Sequence, residues 1–183
     1  WVARIVMTAA LFTNDIPFHT IYLHGLVRDE LGRKMSKTTG NVTDPIDVIQ
    51  DFGADALRFT LLTSGSPGND LNLSLDRVES NRNFGNKLWN AARCVIRNFD
   101  REKENDKPTD LNAVLSTADK WILTRLADSV ATADRLMDGY LFGEAGRQVY
   151  DFMWHDYADW YLEVAKVQMR AGGQRAWPTL QVL

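Results

Sequence analysis

Three observations predict a mostly α-helical fold with a small α/β portion at its amino end. Apolar residues recur every three or four positions through 76–99, 116–137 and 143–169, the period of helices with one face turned to a core. The run Thr20-Ile21-Tyr22-Leu23-His24-Gly25-Leu26-Val27 instead has the short aromatic and aliphatic character of a buried strand. Between the two patterns stands Gly65-Ser66-Pro67-Gly68, a breaker cluster that marks a boundary between residues 1–65 and 66–183.

In chain order, Trp1, Val2, Ile5, Val6, Ala9 and Phe12 line one face of a helix that Asn14-Asp15-Ile16-Pro17 breaks. The strand follows. Asp44-Pro45 starts a second helix: aspartate accepts from the free amides of the first turn, proline lacks an amide that the first position leaves unused, and Gly53 caps the far end. A third helix is expected from Asp55 to about Ser64, with Asp55 and Arg58 read as a cap and a structural ion pair. From Asp76 to Phe99, Leu88, Trp89, Ala92, Val95, Ile96 and Phe99 share one side of a long helix, and Arg82, Asn83, Asn86, Lys87, Asn90, Arg93 and Arg97 share the other. Arg101 to Pro108 is of mixed charge and reads as a solvated connection. Ser116-Thr117-Ala118-Asp119 is a capping-box start, followed by Ile122, Leu126, Val130, Ala133 and Met137 at helical spacing. A last long helix spans Gly143 to Met169, with an aromatic stripe that includes Phe152, Tyr157, Trp160 and Tyr161, until Gly172-Gly173 stops it. Asp156 falls within that stripe, so it requires a basic or backbone donor if buried.

The 183 residues are 45% hydrophobic and 25% charged, which is the make-up of a globular protein able to bury a core. A formal charge of −3 excludes a grip on nucleic acid by bulk electrostatics, so any RNA contact must come from a local patch. No apolar run is long enough to cross a bilayer, and no membrane partner is expected. The start Trp1-Val2-Ala3-Arg4 carries neither an initiator methionine nor a signal-peptide pattern, which predicts a segment from inside a longer protein. With Cys94 the single cysteine, an internal disulfide and a cysteine zinc site are excluded, and a reducing compartment fits. His19, His24 and His155 are scattered without ligand or triad spacing, and no protein-bound metal is predicted.

The most informative stretch is Gly32-Arg33-Lys34-Met35-Ser36-Lys37-Thr38-Thr39-Gly40-Asn41. It places two ammonium groups three residues apart on a loop rich in hydroxyls, with glycine at either end to let the backbone bend. Flexible lysines act as point charges that can follow a moving phosphate, which suits a mobile flap over a polyphosphate better than a rigid cradle. The Gly-Lys-Ser/Thr ending of a P-loop is absent. Read alone, such a loop is a solvated turn; its flanks change that reading.

Lys34-Met35-Ser36-Lys37-Thr38, with Gly40-Asn41-Val42, Asp44-Pro45 and Asp55-Ala56-Leu57-Arg58-Phe59, resembles the second signature region, the KMSKS-type loop, of class I aminoacyl-tRNA synthetases of the valine, isoleucine and leucine group. Asn69-Asp70-Leu71-Asn72-Leu73-Ser74 and Arg82-Asn83-Phe84-Gly85-Asn86-Lys87-Leu88-Trp89-Asn90-Ala91 are most similar to the valyl-tRNA synthetases. Trp154-His155-Asp156-Tyr157 with Asp159-Trp160-Tyr161-Leu162-Glu163 makes a third block of the same kind. Thr38 departs from the commoner serine but keeps the hydroxyl.

The resemblance implies the end of a Rossmann-type catalytic domain over 1–65, followed by a truncated anticodon-binding helical bundle over 66–183. It implies ATP-dependent activation of valine and its transfer to tRNA(Val), with Mg2+ carried by the ATP. By the same resemblance Lys37 stabilises the departing pyrophosphate, Lys34 assists, Ser36 and Thr38 offer hydroxyls, and Gly40-Asn41 shapes the loop. His24 and Gly25 fall where such enzymes lay backbone against adenine. Arg82, Asn83, Asn86, Lys87, Asn90, Arg93 and Arg97 supply donors for RNA phosphates, 2′-hydroxyls and splayed bases. Trp154 reads as core, while His155 stays open between packing and stacking on a base. The family's other signature, a His-x-Gly-His-like element, does not occur in the chain, so the isolated polypeptide is expected to be inactive and to need the rest of the synthetase. The implied compartment is the cytoplasm, or an organellar stroma or matrix. Two alternatives remain: a noncatalytic RNA-binding or assembly module derived from a synthetase, and a fragment of an isoleucyl- or leucyl-tRNA synthetase.

Overall fold

The computed structural model describes residues 1–102, 115–170 and 179–180. Its elements are α1 (Val2–Thr13), β1 (Val27–Arg28), α2 (Pro45–Phe52), α3 (Ala54–Ser64), β2 (Leu71–Asn72), α4 (Leu75–Glu102), α5 (Thr117–Asp138), α6 (Phe142–Asp151), a π-helical stretch (Phe152–Tyr161) and α7 (Leu162–Arg170). The mostly helical fold is as expected. The Gly172-Gly173 stop and most of the expected Arg101–Pro108 connection lie outside the described residues; α4 itself continues through Arg101 and Glu102.

Helix starts follow their local signals. The Asp44 carboxylate accepts from the Ile46 amide, Pro45 opens α2, and the Gly53 amide donates to the Ile49 carbonyl at the far end. At α5 the Ser116 hydroxyl accepts from the Asp119 amide while the Asp119 carboxylate accepts from the Ser116 amide, a complete capping box. Asn14, at φ 52°, closes α1 in the left-handed region that asparagine tolerates.

The expected strand over Thr20–Val27 is reduced to Val27–Arg28, which pairs in parallel with Leu71–Asn72. Ile21, Leu23 and Leu26 are exposed rather than buried. A strand exists only where a neighbour completes its ladder, and the described neighbour is short. The preceding chain is still tied down: Gly68 and Leu71 donate backbone bonds to the carbonyls of Leu23 and Leu26. Gly25 permits this approach, since a Cβ there would lie 1.8 Å from the Asn69 carbonyl oxygen.

Two clusters form the core. Val48, Ala56, Leu57, Leu73 and Val78 lie beneath the amino-terminal part. Ala91, Ile122, Phe152, Tyr157, Tyr161, Leu162, Ala165 and Leu180 fill the helical part. Between them, Phe84 of α4 touches the ring of Phe59 from α3 and that of Tyr150 from α6, at centroid distances of 5.2 and 4.5 Å. The start of α6 presses on the end of α3 so closely that a Cβ on Gly143 would meet the Gly65 carbonyl oxygen at 2.3 Å.

Expectations about helix faces are corrected on α4 and on the last helix, where Trp160 of the expected stripe is exposed. On α4 the inward residues are Val78, Phe84 and Ala91, whereas Trp89 and Ile96 are 70% and 59% exposed. Periodicity identified the helix, but its apolar residues cover more than the half that neighbours occupy. The expected single helix from Gly143 to Met169 is interrupted by the π-helical stretch, where the Leu162 amide donates to the Tyr157 carbonyl. The wider turn lets Phe152, Tyr157 and Tyr161, spaced by five and four, all face the core.

Candidate functional site

The lysine loop is built outward from Asp29, the residue after β1. Its Oδ1 accepts from the amides of Leu31 and Arg33, and its Oδ2 accepts from Arg33 Nε at 2.8 Å and Asn41 Nδ2 at 3.0 Å. The Asn41 bond, reinforced by the Arg33 bonds, lowers the carboxyl from the ordinary 3.8 to about 2. Gly32 and Gly40, at φ 75° and 69°, turn the chain at either end of the loop as expected.

Asn41 closes the other side. Its Oδ1 accepts from the Ser36 amide at 2.9 Å and from Thr39 Oγ1 at 2.6 Å, and its Nδ2 also donates to the Lys34 carbonyl at 3.2 Å. Ser36 Oγ and Thr38 Oγ1 lie 2.7 Å apart and share a proton-mediated bond, while the Thr38 amide donates to Ser36 Oγ. Lys34 and Lys37 are exposed, and among the described residues neither ammonium has an ion pair or hydrogen bond. The arrangement presents two uncompensated positive charges from a backbone that is itself tied in place. Chemically, such a pair of charges can meet a polyanion.

The other expected site residues are less alike. His24 is exposed, and its Nδ1 bonds the Gly25 carbonyl at 2.8 Å. On α4, Asn83, Asn86, Asn90, Arg93 and Arg97 are exposed. Arg82 and Lys87 are half-buried and engaged within the chain: Arg82 pairs with Glu79 and covers the Phe52 ring, while Lys87 pairs with Asp159 and stands 3.7 Å from the Trp154 ring centre. Trp154 is half-buried and stacks on Tyr150 at the edge of the core rather than within it, and His155 is exposed. Asp156 finds the basic donor it requires in Arg125 Nε at 2.8 Å. Asp55 and Arg58 form no ion pair among the described residues; Asp55 sits in the first turn of α3, where it faces the positive helix end.

Residues 1–74 match the family model of class I tRNA synthetases (I, L, M and V), and residues 119–183 match that of the anticodon-binding domain of tRNA ligase. Over 169 residues, 92% of the chain, it is 52% identical to the valine–tRNA ligase of Bacillus anthracis and 50% identical to that of Listeria monocytogenes. The chain belongs to the class I aminoacyl-tRNA synthetases. It spans 19% of the length of these relatives. In fold it matches a LeuRS from Agrobacterium radiobacter K84, solved in a ternary complex with tRNA and LeuAMS, with a TM-score of 0.67 over 96% of this chain and 22% of that one, at 23% identity.

Sequence reasoning missed Asp29 as the loop's anchor and Asp70 as its counterpart on the facing segment. Asp70 accepts from the Leu26 amide at 2.8 Å and pairs with Arg28, and these contacts lower its carboxyl from the ordinary value. The spacing of Asp29 and Arg33 offered a local signal. Nothing local connects Arg28 with Asp70, 42 positions apart.

Proposed function

We propose that this chain is part of a valine–tRNA ligase that activates valine with ATP and transfers it to tRNA(Val) in the cytoplasm, with residues 1–65 serving the catalytic part and 66–183 the anticodon-binding bundle. The observation that carries the reading is the pair of exposed ammoniums of Lys34 and Lys37, without an ion pair among the described residues, on a loop tied down by Asn41. When the valine carboxylate attacks the α-phosphate of ATP, negative charge builds on the departing pyrophosphate. Lys37 neutralises that charge, Lys34 assists, and of the mutually bonded Ser36 and Thr38 hydroxyls the one that accepts from the other donates to a phosphate oxygen. His24 and Gly25 lie at the adenine end, and Mg2+ arrives with the ATP phosphates.

Lys37→Ala in a full-length synthetase carrying this segment lowers the rate of valine-dependent ATP–pyrophosphate exchange on the order of a hundredfold or more, the cost of one lost transition-state contact. ATP affinity changes far less. Equal losses of rate and affinity count against the assignment, and stronger exchange with isoleucine or leucine than with valine counts against the specificity. The isolated 183-residue chain shows no exchange, because it lacks a His-x-Gly-His-like element to hold the phosphates from the opposite side.

The exposed Asn83, Asn86, Asn90, Arg93 and Arg97 form the RNA-facing side of α4, and Arg82 and Lys87 contribute less because their charges are already engaged. Arg93→Ala weakens tRNA binding and reduces the slope of its salt dependence by about 1 if it meets a phosphate.

A further inference from the structure

Asn41 uses its whole hydrogen-bonding capacity inside the lysine loop. A side-chain amide has two N–H donors and two acceptor lone pairs. Here the donors go to Asp29 Oδ2 and the Lys34 carbonyl, and the acceptor takes the Ser36 amide and the Thr39 hydroxyl. These partners bracket both lysines: Lys34 is held through its own carbonyl, and Lys37 lies between the held residues Ser36 and Thr39. Asp29 is equally committed, with the Leu31 and Arg33 amides on one oxygen and Arg33 Nε and Asn41 Nδ2 on the other. It stands directly after β1, whose pairing with β2 makes it part of the scaffold.

We propose that Asn41 and Asp29 are positioning residues that lock the backbone of the lysine loop, so that Lys34 and Lys37 approach a polyphosphate as one preset pair. The inference rests on the reading of the loop as the ATP flap. The ammoniums have no partners of their own among the described residues, so their placement is set by the backbone that carries them. That backbone has a left-handed glycine at each end. Apart from the Asp29 and Asn41 contacts, the described bonds are its short turn bonds, those of Thr38 and Thr39 to Ser36, and the contacts of its first residues with Arg28 and Asp29. From Lys34 to Asn41, then, the hydrogen-bonded tie to the scaffold beyond the Arg28–Lys34 bridge runs through Asn41. A lysine displaced by about 1 Å from the developing charge loses transition-state stabilisation while still contributing to ground-state attraction, so the latch governs rate more than affinity.

The test is single-turnover valine activation in a full-length synthetase carrying this segment, with Asn41→Ala, Thr39→Val and Lys37→Ala alone and combined. Asn41→Ala lowers the rate at saturating ATP on the order of tenfold to a hundredfold with the ATP KM unchanged, and costs clearly less in the Lys37→Ala background, where only Lys34 is left to be misplaced. The milder Thr39→Val, which deletes one bond to Asn41 and suits the case in which Asn41→Ala fails to fold, gives a smaller loss with the same pattern. An Asn41→Ala or Thr39→Val loss that persists in full beside Lys37→Ala overturns the latch, as does a raised KM at unchanged rate or full activity in a folded variant. An inert Lys37→Ala instead overturns the assignment of the loop itself, so the two failures are distinguishable.

Discussion

The lysine loop and the aromatic bundle are held in shape by opposite means. From Asp29 to Asn41 the structure rests on polar contacts near the surface, and Ser36, Thr38 and Thr39 hydroxyls add more of the same. From Phe84 to Tyr161 it rests on packed rings and helices, with Ile122, Tyr161 and Ala165 fully enclosed. Each surface hydrogen bond contributes about 1 kcal/mol net, whereas enclosing one large side chain contributes about 2–3 kcal/mol. Breaking the loop's latch therefore leaves the rest of the fold intact, while the bundle cannot shift without losing its core. On the proposed reading, side chains that move with a reacting group lie on the first kind of structure, and those that hold a surface still lie on the second.

The strongest challenge to this contrast is Tyr161→Ala in the full-length protein, expected to cost about 4 kcal/mol of stability in denaturant unfolding. It removes an enclosed ring and leaves the buried Asp119 carboxylate without the phenol that donates to it at 2.7 Å. A comparable loss from Asn41→Ala would erase the distinction. Next in size, Gly143→Ala forces the start of α6 away from the Gly65 carbonyl and should cost about 1–3 kcal/mol, lowering the melting temperature. Lys87→Ala should cost only about 1 kcal/mol, because its ion pair with the exposed Asp159 is screened and the contact with Trp154 adds a modest share.

The smallest effects are set by pH, and they separate the regions again. Burial, with the Asp119 bond next, pushes the Tyr161 phenol well above its ordinary 10. Its contribution is complete below pH 10 and is lost as the pH rises through the raised folded value, so Tyr161→Phe should flatten the alkaline limb of the stability profile. Asp29 behaves in the opposite sense. Its contribution is complete above pH 3.8 and lost as the pH falls through about 2, so a carboxyl NMR titration should find its midpoint near 2. A midpoint at the ordinary 3.8 would mean that Asn41 and Arg33 do not hold it in solution.

Much of this was readable from residues a few positions apart. Asp44-Pro45, Gly53 and Ser116-Thr117-Ala118-Asp119 announced their helix ends because caps are made within one turn. The two lysines were readable as a pair of charges because their charge needs no tertiary partner to be seen. Trp89 and Ile96 misled, since an apolar residue facing an unoccupied side of a helix looks identical in sequence to one facing the core. The π-helical stretch was equally hidden, because aromatic spacings of three to five fit an α-helix until packing selects the wider turn.

By itself, then, the sequence determined the capped helix ends at α2 and α5, the charges that the loop carries and the family, all properties of short-range spacing and residue type. Tertiary structure alone decided which side of α4 is enclosed, that Lys87 is spent on Asp159 and Trp154, and that Asp29 and Asn41 close one polar latch beneath the lysines. Those outcomes depend on which segments meet in space, and a meeting between positions 12 or 72 residues apart leaves no periodic trace along the chain.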